Sequence, residues 1–339
     1  MVELSSLTTL RLGGPARDYR EAAGPEEYVD AVSSAEGEVL VLGGGSNLVV
    51  GDAGFDGTVV RLVGGQIRVD SADACSGTSV TVDAAVVWDD FVARAVAEGW
   101  VGVEALSGIP GTVGATPIQN VGAYGQEVSQ TIAQVRVWDR RLKGYRTFFA
   151  DDCGFGYRWS RFKADPGRHL VVSVTFQLRS LPPGAARLSA PVGYADLARA
   201  LGVQAGQRAP LEEVREAVLE LRRGKGMVLD AEDHDTWSAG SFFTNPVLDR
   251  APEGAPSYPH PDGRVKTSAA WLIDRAGFAK GYPGTGAVRV SGKHTLALTN
   301  RGGGTTAELV ALAREIRDGV RDRFDIALEP EPVFVGTAL

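Results

Sequence analysis

Five stretches of this chain carry residue types that can do chemistry. Gly43-Gly44-Gly45-Ser46-Asn47 follows a short apolar run. Glycines so placed let backbone N–H groups close round a phosphate, with Ser46 and Asn47 adding side-chain hydrogen bonds. The run matches neither GxGxxG nor GxxxxGK[ST], so a standard dinucleotide-binding βαβ unit is not indicated. A tight strand-to-turn corner would use the same residues. The second stretch, residues 107–125, is rich in Gly, Pro, Thr and Asn and holds no charged residue. A solvent loop of that length ordinarily carries charges, so its backbone is expected to pack against a ligand, or else over a sheet edge. Two such segments together suit a long cofactor, which needs contact at several places.

The third stretch, Phe155-Gly156-Tyr157-Arg158-Trp159-Ser160-Arg161-Phe162-Lys163, sets four aromatics among three cations. Stacking there would hold an arginine rigidly. Single-stranded nucleic acid or a half-buried strand edge would also account for it. In the fourth, Ser241 lies in Ala239-Gly240-Ser241-Phe242-Phe243-Thr244-Asn245-Pro246. This is not the GxSxG nucleophile elbow, and alone it describes a turn serine. In the fifth, Glu331 sits between Pro330 and Pro332, so its backbone is stiff and extended. Such a fixed carboxylate is either catalytic or a surface strand end.

Composition removes several classes of function. Of 339 residues 44% are hydrophobic and 23% charged, so the chain can bury a core and is not globally disordered. Glycine, at 43 residues, is nearly twice its usual share of about 7%. It clusters without a Gly-X-Y period, which excludes collagen and points to tight turns and close backbone approach. The net charge of −7 disfavours nucleic acid and anionic membranes as partners. Arginines number 29 against 6 lysines, a ratio that a genome-wide codon bias explains. Cys75 and Cys153 are far apart, and the four histidines show neither HxxxH nor HExxH. A disulfide scaffold or a metal site is therefore not expected. No basic segment with an apolar run opens the chain, and no stretch of 18 apolar residues occurs. The expectation is a cytoplasmic, monomeric protein acting on small molecules.

The elements that must position these residues alternate in the first third. Residues 38–42 form a short buried strand, 58–63 another, and 79–84 alternates with period two. Trp88, Phe91, Val92, Ala95 and Val96 make a helical stripe that ends where Gly99 supplies a C-cap. Strands resume at 134–139 and 169–178, and Pro182-Pro183-Gly184 marks a boundary. A helix over 211–223 keeps Leu211, Val214, Val218 and Leu221 on one face. A short helix from Ser268 to Gly277 holds Trp271, Leu272 and Ile273. The helix over 305–324 opens with the capping box Thr305-Thr306-Ala307-Glu308, and 326–335 is extended. There is no internal repeat.

Seven motifs in order, Leu42-Gly43-Gly44-Gly45-Ser46-Asn47-Leu48, Ile109-Pro110-Gly111-Thr112-Val113-Gly114-Ala115, Pro117-Ile118-Gln119-Asn120-Val121-Gly122-Ala123-Tyr124-Gly125, Gly156-Tyr157-Arg158, residues 240–246, Ala270-Trp271-Leu272-Ile273-Asp274 and Leu328-Glu329-Pro330-Glu331, resemble the UDP-N-acetylenolpyruvoylglucosamine reductases, flavoenzymes of peptidoglycan precursor synthesis. The resemblance runs from about Leu7 to Glu331. The segment Pro191-Val192-Gly193-Tyr194-Ala195-Asp196-Leu197 is similar to the extra Tyr-bearing segment of the longer form of that family. Trp159 departs from the pattern, since many members have Asp there.

The resemblance implies an α+β fold of three domains. Two form a PCMH-type FAD-binding unit, residues 1–67 with the tail 329–339 and residues 68–224. The third, 225–328, is an α+β substrate-binding domain. It implies non-covalent FAD held by Gly43, Gly44, Gly45, Ser46, Asn47, Leu48, Pro110, Gly111, Val113, Gly114, Ala115, Pro117, Gln119, Asn120, Gly122, Ala123, Tyr124 and Gly125. Gly114 in particular is expected to leave room for the cofactor. NADPH would be the hydride donor and UDP-N-acetylglucosamine enolpyruvate the acceptor, giving UDP-N-acetylmuramate. Arg158 would stabilise an enediolate, Glu331 would hold the enol form, and Ser241 would protonate the α-carbon. Tyr157, Tyr194, Lys225, Asn245 and His294 would bind substrate, with Tyr194 and Lys225 on the diphosphate. Because NADPH and the sugar nucleotide both carry a diphosphate, one site serving both in turn predicts ping-pong kinetics. Two other classes are a covalent flavin oxidase and a sugar-nucleotide binder without flavin. The first histidine, His169, lies beyond both glycine segments, and Arg158, Ser241 and Glu331 are all present, which argues against each.

Overall fold

Four apolar residues in a row make Val39–Leu42 a strand, and it runs parallel to Phe55–Leu62, with Val39 opposite Thr58. Val39–Leu42 lies at the edge of its sheet with only Leu42 buried and Val41 exposed, so the buried strand expected from the apolar run is corrected to an edge strand. The computed structural model describes residues 1–73, 76–181 and 184–339. Cys75 and the Pro182-Pro183 boundary named above lie outside the described residues. The chain divides into two units. One comprises Met1–Asp18, Gly45–Asp56 and Gly224–Leu339, and the other Tyr19–Gly44 and Gly57–Arg223.

The second unit is built on an antiparallel sheet whose strands lie in the order Gly144–Phe149, Ile132–Asp139, His169–Ser180, Gly77–Asp83, Ile67–Asp73. The central strand buries residues of both parities because both its faces are covered, so no period-two pattern marks it. The helix Trp88–Glu98 lays the expected stripe on this sheet, and Trp88, Phe91 and Phe176 meet with ring centroids 4.7–5.9 Å apart. Gly99 closes that helix at φ 76°, the left-handed conformation that glycine adopts without a Cβ penalty. Asp139, fully buried, accepts a fork from Arg168 and the N–H groups of Arg141 and Leu142. The Arg168 fork holds its carboxyl at about 2.

The helix Leu211–Gly224 departs from its expected face. Leu211, Val214 and Val218 are buried, but the fourth buried position is Arg222, while Leu221 is half-buried. The apolar stripe along Leu211, Val214 and Val218 points equally to 221 and 222, and the neighbours decide between them.

The first unit has a core of Leu10, Leu12, Phe242, Phe243, Leu272, Ile273, Leu309, Ile316 and Leu328 among others. Its long helix Thr306–Phe324 opens with the expected capping box. Thr305 Oγ1 accepts from Glu308 N–H, and the Glu308 carboxylate accepts from Thr305 N–H. Val333–Val335, within the extended segment read from the sequence, pairs in parallel with Leu48–Val50. Asn300, buried, donates to the carbonyls of Leu10 and Arg11 and accepts from Gly302 and Gly304 N–H. Strand and helix content is mixed within both units, an α+β fold. Among the described residues no helix is long and apolar enough to cross a membrane.

Candidate active site

In the second unit the two glycine-rich segments meet backbone to backbone. A Cβ on Gly44 would stand 2.6 Å from Gly111 Cα, and one on Gly43 would stand 3.0 Å from Thr112 Oγ1. Residues 107–125 are stapled to the connection before the helix Trp88–Glu98. Trp88 N–H donates to Gly111 O, Val113 N–H to Val86 O and Gly114 N–H to Ala84 O. Gly114 requires correction. A Cβ there would lie 2.5 Å from Ala84 Cβ, so glycine is demanded by the seat of the loop, and a larger residue would unseat the loop itself. Around this seat Pro117, Gln119 and Asn120 are buried, and Pro110, Gly111, Gly122, Ala123 and Tyr124 half-buried. Ala115 and Gly125 are exposed. The uncharged, backbone-lined meeting of Gly43–Gly44 with Gly111 fits a diphosphate and a neutral ring. The residues present therefore fit FAD, which they would hold through N–H groups.

Arg158 sits at a corner of that same unit. Gly156 and Trp159 exchange both backbone hydrogen bonds, at 3.0 and 3.2 Å, so Tyr157 and Arg158 are the two corner residues. Arg158 takes φ 51°, the position where a turn of this kind prefers glycine or asparagine, at a cost of about 1–2 kcal/mol. The turn is fastened from outside. Asn120 Nδ2 donates to Gly156 O at 3.0 Å, and Ser160 Oγ donates to Ile118 O at 2.6 Å. The Arg158 guanidinium donates to Gly122 O at 2.9 Å and reaches Asn120 O at 3.5 Å, and stands 5.5 Å over the Tyr157 ring. The arginine and the 117–125 motif are thus one cluster.

Tyr124 and Tyr194 also meet, edge to face, with centroids 5.4 Å apart. Buried Arg222 lies near enough to Tyr124 for its charge to be felt there. Burial pushes Arg222 down to about 10, while Tyr124 and Asp89 favour the cation. Asp89 accepts from Gly108 N–H and from both arms of Arg215, at 2.7 and 2.8 Å. Burial resists its ionisation, but those bonds outweigh burial and lower its pKa. Neither Arg222 nor Asp89 was named from the sequence. A cation on an apolar stripe was the available signal for the first, and nothing local marked the second.

In the first unit, strand-like pairing joins the segment that follows Ser241 to the one that carries Glu331. Glu331 N–H donates to Phe242 O at 2.9 Å, Thr244 N–H donates to Glu329 O, and Phe243 pairs with Pro330. Both Ser241 and Glu331 are half-buried. Asn47 joins them, since its Nδ2 donates to Glu331 O at 3.3 Å and its own carbonyl accepts from Val333 N–H. Leu48 starts the strand that pairs with Val333. Gly45, at φ 63°, passes so close to the Leu7 carbonyl that only glycine fits. Asn245 Oδ1 accepts from Ala269 N–H, at the start of the helix Ala269–Arg275. Lys225 and His294 share a second cluster with Lys280, which the sequence reading did not name. Burial pushes His294 down to about 4, and the two lysines add to the shift. The ring is therefore neutral at pH 7. Trp159 is exposed.

Comparisons with known proteins match two segments of the chain. Residues 21–141 match the FAD binding domain family, and residues 232–335 match the C-terminal domain of UDP-N-acetylenolpyruvoylglucosamine reductase. The UDP-N-acetylenolpyruvoylglucosamine reductase of Cutibacterium acnes is 54% identical over 100% of this chain and 90% of its own length. The Thermobifida fusca protein of the same name is 54% identical over 100% of this chain and 98% of its own length. The crystal structure of the reductase from Thermus caldophilus superposes with a TM-score of 0.67 at 26% identity, covering 98% of this chain and 97% of that one. With identity above one half along its whole length, the chain belongs to the UDP-N-acetylenolpyruvoylglucosamine reductase family.

Proposed function

We propose that this protein is an FAD-dependent oxidoreductase that uses NADPH to reduce UDP-N-acetylglucosamine enolpyruvate to UDP-N-acetylmuramate, a step of peptidoglycan precursor synthesis. The observation that carries the proposal is identity of 54% to named reductases along the whole chain, and the backbone pairing of residues 242–244 with 329–331, which joins the segment after Ser241 to the one that carries Glu331, supports it. Residues of the segments 43–48 and 110–125 would hold FAD, which would supply two-electron hydride chemistry between NADPH and the vinyl ether.

The chain's own residues manage the charge and the proton. Electron density reaching the substrate's α-carbon spreads into the adjacent carboxylate. Arg158, its guanidinium already fastened along one edge by Gly122 O, offers a preorganised cation to that oxygen and pays little reorganisation on reaction. Ser241 Oγ–H protonates the α-carbon, and water restores the serine proton. So basic a carbon takes a proton even from a weak acid. Glu331, held by Asn47 and Phe242 through its backbone, steadies the enol form. Lys225 and Tyr194 take the nucleotide diphosphate, and Tyr157, Asn245 and neutral His294 complete the substrate contacts. Residues 1–67 with 329–339 and 68–224 serve as the cofactor domains and 225–328 as the substrate domain. The protein works as a cytoplasmic monomer.

Cys153 is buried and its thiol is pushed up to about 12, which supports a non-covalent flavin, since the thiolate is the nucleophile. Purified protein should be yellow and lose its flavin to the supernatant on acid precipitation. Initial-rate plots at several NADPH levels should be parallel. Absence of turnover with the enolpyruvyl sugar nucleotide would remove the assignment, and intersecting lines would remove the shared diphosphate site.

A further inference from the structure

Arg158 stands in a left-handed backbone conformation at the corner of its turn. Its side chain can be aimed only if that corner is prevented from relaxing, because rotation of φ there swings the whole guanidinium. Two of the turn's carbonyls are bound from outside it. Asn120 Nδ2 holds that of Gly156. The carbonyl of Arg158 itself is held by an ammonium, Lys163 Nζ, at 3.0 Å. Lys163 reaches back from the short helix Arg161–Ala164, which is capped by Ser160. The Ser160 hydroxyl accepts from the N–H groups of Phe162 and Lys163 and donates to Ile118 O. The helix is thereby tied to the 117–125 motif on which the Arg158 guanidinium rests.

We infer that Lys163 is a positioning residue for Arg158. By holding the Arg158 carbonyl it locks the strained corner in the one conformation that sets the guanidinium on Gly122 O and presents it to the substrate carboxylate. A charged donor is suited to this, since hydrogen bonds from an ammonium are stronger than those from a neutral amide. The inference rests on the function proposed above, because it assigns Lys163 to the half-reaction in which Arg158 stabilises the enediolate.

The test follows the flavin absorbance of the FAD-loaded enzyme in each half-reaction. Lys163→Met keeps most of the aliphatic stem and removes the donor. It should slow flavin reoxidation by the enolpyruvyl sugar nucleotide about 10–100-fold, the range for a displaced catalytic group, and leave flavin reduction by NADPH unchanged. Lys163→Arg should recover most of that loss, and Lys163→Gln, the alternative should the Met variant not fold, should fall between. In an Arg158→Ala background, Lys163→Met should add less than about 2-fold, as expected of residues acting as a unit. Product binding gives a readout apart from turnover: UDP-N-acetylmuramate should bind more weakly to Lys163→Met, and no more weakly still once Arg158 is gone. Equal slowing of both half-reactions, a full additive loss in the Arg158→Ala background, or an unchanged Lys163→Met would each overturn the inference while the wild type still turns over. A wild-type flavin that the sugar nucleotide fails to reoxidise would overturn the proposed function and this inference with it.

Discussion

Arg158 is fastened by contacts between residues that lie 5 to 42 positions apart. Ser241 depends on segments far more distant: Thr244 pairs with Glu329 across 85 positions, and Asn47 reaches Glu331 across 284. Both arrangements hold a side chain at a defined place, but they spend different things. The turn at 156–159 stores strain at one residue and holds it with hydrogen bonds from within 5 to 42 positions along the chain. The pairing at 242–244 stores no backbone strain and instead depends on the folding of the whole unit, whose core includes Leu10, Phe242, Phe243 and Leu328. Local turns fail one contact at a time, whereas long-range pairing is lost cooperatively.

The sharpest way to test the comparison is to remove one side chain from each region. Ser241→Ala should leave flavin reduction nearly unchanged and slow flavin reoxidation by roughly 10²–10⁴-fold, the usual worth of a positioned general acid. Ser241→Cys should recover part of it, because a thiol also donates. Arg158→Ala should damage the same half-reaction through loss of enediolate stabilisation, and a cysteine there should not help. Equal slowing of both halves in Ser241→Ala, read by stopped-flow absorbance, would make Ser241 a structural turn residue.

Next in size is Asn300, which ties the long-range unit together through four hydrogen bonds. Asn300→Ala leaves the buried Leu10 carbonyl without its partner, at about 1–3 kcal/mol for such a group, and removes three further, more exposed hydrogen bonds. Denaturant unfolding should show a loss of about 3 kcal/mol. A loss below about 1 kcal/mol would mean that the unit does not rely on its distant contacts.

His294 offers a pH test confined to the same unit. Its folded pKa of about 4 lies below the unfolded value of about 6.5. The unfolded chain therefore binds the extra proton first. Stability is full above pH 6.5, declines as pH falls, and stops declining near pH 4. At pH 5 the loss should be about 2 kcal/mol. His294→Gln should abolish that component. An unchanged acid profile would show that the ring titrates normally and that Lys225 and Lys280 do not bear on it.

The smallest effect isolates the strain in the local turn. Arg158→Gly and Arg158→Ala both lose the guanidinium, but only alanine keeps a Cβ at φ 51°. The glycine variant should be about 1 kcal/mol more stable than the alanine variant. If the two unfold together, the corner is unstrained and the contrast with the Ser241 region disappears.

Much of this molecule was decided by order along the chain. The helix Trp88–Glu98 with Gly99 as its cap and the helix Thr306–Phe324 with its capping box follow from periodicity and from hydrogen bonds spanning at most four residues. That Val39–Leu42 is a strand was legible from its unbroken apolar run, but its place at the sheet edge, with only Leu42 buried, was not. The motif order also named Arg158, Ser241 and Glu331 as the candidate site. Tertiary structure alone decided the rest. It buried Arg222 in place of Leu221, set Ala84 against Gly114, joined Asn47 to Glu331, placed Lys280 with His294, and brought the Lys163 ammonium onto the Arg158 carbonyl. The physical reason is the range of the forces involved. Turns, caps and stripes are set by neighbours a few residues away, which the sequence lists. Packing, pairing and shifted ionisation are set by neighbours in space, which only the folded chain supplies.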